Sequence, residues 1–119
     1  MRLKLSVSSH GDAVVLVVDG PLTLEGGDSF EFRKLVEQEL REGNKKIVVD
    51  LSKCSYADSS GIAVLVSAFT KSANSGAKVV IANPQPKLQE LLKITRLETI
   101  LKPYDSVESA LAAVQSSTP

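Results

Sequence analysis

Cysteine is nearly missing from this chain: Cys54 is the only one, which excludes an internal disulfide and any cysteine-based metal cluster. Histidine is equally scarce. His10 stands alone beside Gly11 in a turn-forming His10-Gly11-Asp12 stretch, a place for a solvated turn residue and not for a catalyst or ligand. An excess of either charge is lacking too, with 14 Lys and Arg against 14 Asp and Glu. Such a chain has no global field to draw nucleic acid or an anionic membrane, so neither is expected as a direct partner. Long apolar runs are also absent. The longest, Ala13 to Val18, is six residues, against the ~20 needed to cross a bilayer. No apolar leader precedes the pattern, and the expected compartment is the cytoplasm.

What is present suffices for one domain spanning residues 1–119: 43% of the residues are hydrophobic, enough to build a core without staples. Leu3, Leu5 and Val7 alternate with Arg2, Lys4 and Ser6 as in a half-exposed strand, and Ala13 to Val18 returns as the second arm of a hairpin. Gly26-Gly27-Asp28 leads into a helix whose buried stripe is Phe32, Leu35, Val36 and Leu40, ended by Gly43-Asn44. The glycine pair lacks the lysine and the spacing of a phosphate-binding P-loop, and reads as a flexible lead-in. Phe30 lies off that stripe, where an aromatic is either folded back over the loop, the expectation preferred here, or left for a partner. Ala77 to Ala82 is a further β-branched strand. Asn83-Pro84 is read as a cap and first turn, with Leu88, Leu91 and Leu92 as that helix's apolar face. Ile100-Leu101 is expected as a short edge strand. Asp105-Ser106 caps a last helix with Val107, Ala110, Leu111 and Val114 inward, and residues 115–119 form a frayed tail.

The centre of the chain carries most of the functional information. Ile47-Val48-Val49 is a β-branched run suited to a strand covered on both faces, and the chain leaves the sheet at Asp50-Leu51. Ile62, Leu65, Val66, Phe69 and Ala73 then recur at helical spacing down to Asn74-Ser75-Gly76. The helix must start near Asp58-Ser59-Ser60-Gly61, where three side chains can cap and the glycine lets another chain come close. A helix start bearing a hydroxyl can host a phosphate. Taken alone, the tetrapeptide is an ordinary cap.

Its setting is more informative: a buried strand ending in Asp50-Leu51, a loop, Asp58-Ser59-Ser60-Gly61-Ile62 opening an uncharged helix, then Ser75-Gly76 and another β-branched strand. From the opening hairpin to Leu97 this resembles the anti-sigma factor antagonist family, the STAS domains. The resemblance implies an α/β fold with a mixed sheet of four to five strands, an N-terminal antiparallel hairpin and a parallel remainder, packed with about four helices. It implies that Ser59 is a phosphoacceptor. It also implies a regulatory binding module that captures an anti-sigma factor serine kinase, is released when Ser59 is phosphorylated, and is reset by a serine phosphatase. An unphosphorylated STAS subunit of a signalling or membrane lipid-transport complex is the alternative, against which the paired Asp58 and Ser59 count. The family commonly has glycine where this chain has Arg96, between Thr95 and Leu97, which puts that helix ending in question.

Catalysis fares poorly, because no carboxylate pair, cysteine–histidine pair or metal-ligand spacing stands beside Ser59, so no enzyme, metal or cofactor is expected. Asp50 follows a buried strand as a receiver-type phosphoacceptor would. Asp12 and Asp19, however, flank a hairpin strand and do not pair near it. The expected partner-binding set is Asp58, Ser59, Ser60 and Gly61 at the helix start with Val64, Ser67 and Ala68, which together with Ser72 offer small, uncharged surface around Ser59. The chain's own neighbouring helix covering this side would explain its neutrality equally well. A monomer or weak dimer is expected.

Overall fold

Gly11, at φ +65°, lets the chain reverse in the two residues Gly11 and Asp12 between β1 (Lys4–His10) and β2 (Ala13–Asp19). The hairpin pairs in register from Lys4–Asp19 to His10–Ala13. The computed structural model describes residues 4–23, 28–54, 56–101 and 103–115; the expectations for Leu3, for Gly26 and Gly27, and for the tail beyond Gln115 lie outside these residues. The remaining elements are α1 (Asp28–Arg41), β3 (Lys46–Asp50), α2 (Ser59–Asn74), β4 (Lys78–Ala82), α3 (Pro86–Ile94), a 3₁₀ turn at Leu97–Thr99, β5 (Pro103–Tyr104) and α4 (Val107–Gln115).

The sheet runs β1-β2-β3-β4-β5, antiparallel in the hairpin and parallel thereafter. The mixed sheet and four helices are those the sequence led us to expect. Because side chains alternate across a strand, β2 and β3 feed two cores. Val14, Leu16, Val18, Ile47 and Val49 face Phe32 and Val36 of α1, Ile62 and Leu65 of α2, and Leu88 and Leu92 of α3. Ala13, Val15, Val48, Val80 and Ala82 face Ala110 and Val114 of α4. Three layers result, and β3 is buried on both faces.

Several boundaries differ from those read in the sequence. Helix α3 begins at Pro86 with Gln85 as its cap, two residues beyond the expected Asn83-Pro84 start. Asn83 is instead in the left-handed region at φ 55°, where its amide reaches Asp50 Oδ1 at 3.5 Å. The edge strand is Pro103–Tyr104; Ile100 follows the 3₁₀ turn and Leu101 is fully buried in the first core. Phe30 is not folded away: it is 57% exposed, with Lys34 Nζ 5.5 Å from its ring centroid. Arg96 occupies the left-handed conformation (φ 62°, ψ 20°), so the helix ends as a glycine would end it. Among the described residues no helix is long and apolar enough to cross a membrane.

Candidate functional site

Loops following β2, β3 and β4 meet at the C-terminal ends of the parallel strands, where open α/β sheets place their binding sites. The β3–α2 loop is pinned from both sides. On one flank, Gly20 N donates to Lys53 O (2.9 Å), Leu22 N donates to Tyr56 O (2.8 Å), and Leu22 forms a parallel bridge with Ala57. On the other, Leu51 N donates to Ala82 O (2.9 Å) and Gln85 Nε2 donates to Ser52 O (2.8 Å). Leu51 and Cys54 plug the loop into the core. Burial pushes the Cys54 thiol above its ordinary value, and its S–H points at Tyr56 O (3.5 Å).

Asp58 is the N-cap of α2. Its Oδ1 accepts from Gly61 N (3.0 Å) and from Ser60 Oγ (2.6 Å), while its carbonyl takes Ile62 N (3.0 Å). The two serines that follow therefore differ. Ser60 is half-buried and its hydroxyl is committed to Asp58. Ser59 is exposed, and its hydroxyl makes no hydrogen bond among the described residues. Beyond the cap itself, whose carboxylate takes the Gly61 amide, the first turn of α2 holds no acidic side chain.

Gly61 is buried, and the chain that approaches it is the protein's own: a Cβ placed there would lie 2.1 Å from Leu22 O. The glycine is what allows the β2 loop to lie across the start of α2.

The outer side of α2 is narrower than expected. Ala68 is 5% exposed and Ser72 fully buried, both turned into the protein, and Ser72 Oγ satisfies itself on Ala68 O (2.6 Å). Buried in this way they offer no surface to a partner; α2 as a whole packs on α1 and β4. Glu37 and Lys71 clasp α1 to α2 from outside, and that contact, with Arg33 next, holds the Glu37 carboxyl below its ordinary value. Val64 and Ser67 are half-buried. Of the expected apolar stripe, Ile62 and Leu65 are buried, Val66 and Phe69 are half-buried against the core, and Ala73 is exposed. Two surface residues beside Ser59 were missed. Ala63 is exposed one turn along, where i+4 spacing from Ser59 would have found it, and Tyr56, 58% exposed in the loop, carries no periodic signal.

A family model of the STAS domain matches residues 4–110. The Thermotoga maritima protein TM1081 superposes with a TM-score of 0.86 at 28% identity, covering 93% of this chain and 94% of that one. The anti-sigma F factor antagonist of Paenibacillus polymyxa is 23% identical over 115 residues, 97% of each chain. SpoIIAA of Bacillus, an anti-sigma factor antagonist solved unphosphorylated and phosphorylated, is similar in fold. Its TM-scores are 0.70 and 0.71 at 17% identity, with 97% and 95% of this chain and 99% of SpoIIAA covered.

Proposed function

This chain belongs to the STAS domain family, and from that premise we propose that it is an anti-sigma factor antagonist. It is a binding module that captures an anti-sigma factor serine kinase and is released when Ser59 is phosphorylated. The Paenibacillus polymyxa relative bears the role in its name, and SpoIIAA, of the same fold, exists with and without phosphate.

One observation carries the reading: of two adjacent serines at a helix start, Ser59 is exposed and its hydroxyl makes no hydrogen bond among the described residues, while Ser60 gives its own to Asp58. A phosphate on Ser59 brings ~1.5 to 2 negative charges. The α2 terminus accepts them, at a gain of about 0.3–1 kcal/mol set against repulsion from Asp58. Neither contribution approaches the ~5–15 kcal/mol that holds a domain together. A partner packed over Ser59 meets a different balance, since a buried phosphate without a matching cation costs several kcal/mol, and about 1.4 kcal/mol already weakens binding tenfold. Phosphorylation thus ends the capture and leaves the fold intact, and a serine phosphatase restores it.

The test is phosphopeptide mapping after incubation with ATP and the anti-sigma factor kinase of the same organism. Label is expected on Ser59 alone, Ser59→Ala is expected to stay bound and unlabelled, and Ser59→Asp to bind weakly. Label on Ser60, or full binding by the Ser59 phosphoprotein, overturns the mechanism.

A further inference from the structure

Ser59 and Ser60 have the same hydroxyl chemistry and stand one residue apart, so a kinase that modifies only one of them must find them held differently. The difference originates in Asp58. Its backbone is fixed on both sides: its N–H donates to Leu22 O (3.4 Å) and its carbonyl accepts from Ile62 N (3.0 Å). One carboxylate oxygen then serves twice. Oδ1 accepts from Gly61 N (3.0 Å), which is all that a helix cap requires, and also from Ser60 Oγ (2.6 Å). The second bond has the length of a hydroxyl on an ionised carboxylate, a contact about twice as strong as one between neutral groups. The backbone gives Ser60 no other way out, because Gly61 next to it is wedged against the Leu22 carbonyl, whose oxygen lies 2.1 Å from where a Cβ would stand. What remains is the side-chain rotamer of Ser60, and Asp58 holds it.

We propose that Asp58 is a positioning residue that decides which serine takes the phosphate, acting through the hydrogen bond by which it holds the Ser60 hydroxyl. Phosphoryl transfer bonds a serine Oγ to the γ-phosphorus of ATP, breaks that phosphorus's bond to the oxygen shared with ADP, and releases the hydroxyl proton to solvent. The attacking oxygen must first come within roughly 3–3.5 Å of the phosphorus, in line with the departing ADP. Ser59 is exposed and free of any hydrogen bond among the described residues, so it can take that position without breaking a contact. Ser60 is half-buried and must first give up its bond to Asp58. The proposal rests on the reading of Ser59 as the phosphoacceptor and supplies the selectivity of that site, with the cap of α2 serving also as its lock.

Mass-spectrometric mapping of phosphate on full-length proteins, after incubation with ATP and the anti-sigma factor kinase of the same organism, tests it. Five proteins are compared: wild type, Asp58→Gly, Ser59→Ala, and the pairs Asp58→Gly/Ser59→Ala and Asp58→Asn/Ser59→Ala. Glycine removes the carboxylate yet is well tolerated at a helix start, and asparagine caps as well as aspartate does while keeping an oxygen for Ser60. Thermal melts verify folding. Wild type is expected to carry phosphate on Ser59 alone, Asp58→Gly on both serines, and Ser59→Ala on neither. Asp58→Gly/Ser59→Ala is expected to regain phosphate on Ser60, at least tenfold above Ser59→Ala, and Asp58→Asn/Ser59→Ala to remain as unlabelled as Ser59→Ala. The position of the label is a readout that a purely structural role for Asp58 would not move. If Asp58→Gly/Ser59→Ala stays unlabelled, or Asp58→Asn/Ser59→Ala is labelled on Ser60, the proposal is overturned and the Ser59 reading stands. Loss of Ser59 label in Asp58→Gly also overturns it, since Asp58 would then serve kinase recognition. If the wild type carries no phosphate, or carries it on Ser60, both readings fall.

Discussion

Gly61 has no room for a methyl group, because the Leu22 carbonyl occupies the place where one would go. Alanine would raise helix propensity by about 1 kcal/mol, but it must push backbone aside, and overpacking of that kind costs about 1–3 kcal/mol. We expect Gly61→Ala to lower the urea midpoint despite the better helix former. Cys54 supplies a pH test. Its folded-state value is raised by burial above the ordinary 9.0. Below pH 9 the thiol is protonated in both states and contributes no slope. As pH rises past 9 the unfolded thiol ionises first, and stability falls by up to about 1.4 kcal/mol per pH unit until the folded thiol follows. Denaturant melts from pH 8 to 10.5 should show a shallower alkaline decline for Cys54→Ala. That Ser59 stands at a helix start was legible from its neighbours in sequence. What separates it from Ser60 was not, because the direction of the Asp58 carboxylate depends on how the loop is pinned by Leu22 and Gln85.

Helix α2 shows where pattern reading stops. Its start was legible because Asp58 is a good cap and the apolar repeat begins at once. Its outer side was not, because small neutral residues suit a partner and burial inside the protein equally well, and Ala68 and Ser72 are buried. Ala68→Glu is therefore expected to lose about 3 kcal/mol or more by burying an unpaired charge. Glutamate at the exposed neighbour Ala63 is expected to stay within about 0.5 kcal/mol. Paired thermal melts distinguish the two positions, and a stable Ala68→Glu protein would contradict the packing described for α2. Helix α3 was misplaced by two residues because Pro84 and Pro86 both fit a first helical turn. The choice between them is made by Asn83, whose left-handed backbone lets its amide reach back to Asp50. The edge strand was misjudged for a related reason: Leu101 is apolar because it enters the core, not because it pairs.

For the molecule as a whole, the architecture was legible where one strand serves two cores. Ile47-Val48-Val49 has no polar alternation, and only a strand covered on both sides tolerates that. Such a strand should also be the last to open. In native-state hydrogen exchange the amides of β3 and of its neighbours β2 and β4 are expected to exchange only on global unfolding, and the outward amides of β1 much sooner. Equal protection of β1 and β3 would show that the hairpin edge is covered in solution.

The sheet order β1-β2-β3-β4-β5 is also the order of the chain. On the ribosome, each strand therefore emerges when the neighbour it pairs with has already been made. Every addition after the hairpin joins the same growing side, and no finished ladder must open to admit a later arrival. Helix α4, which follows all five strands in the chain, closes the second core over strands already in place. Assembly can proceed in the direction of translation, with Ser59 at the start of α2 fixed between β3 and β4 before α4 is made.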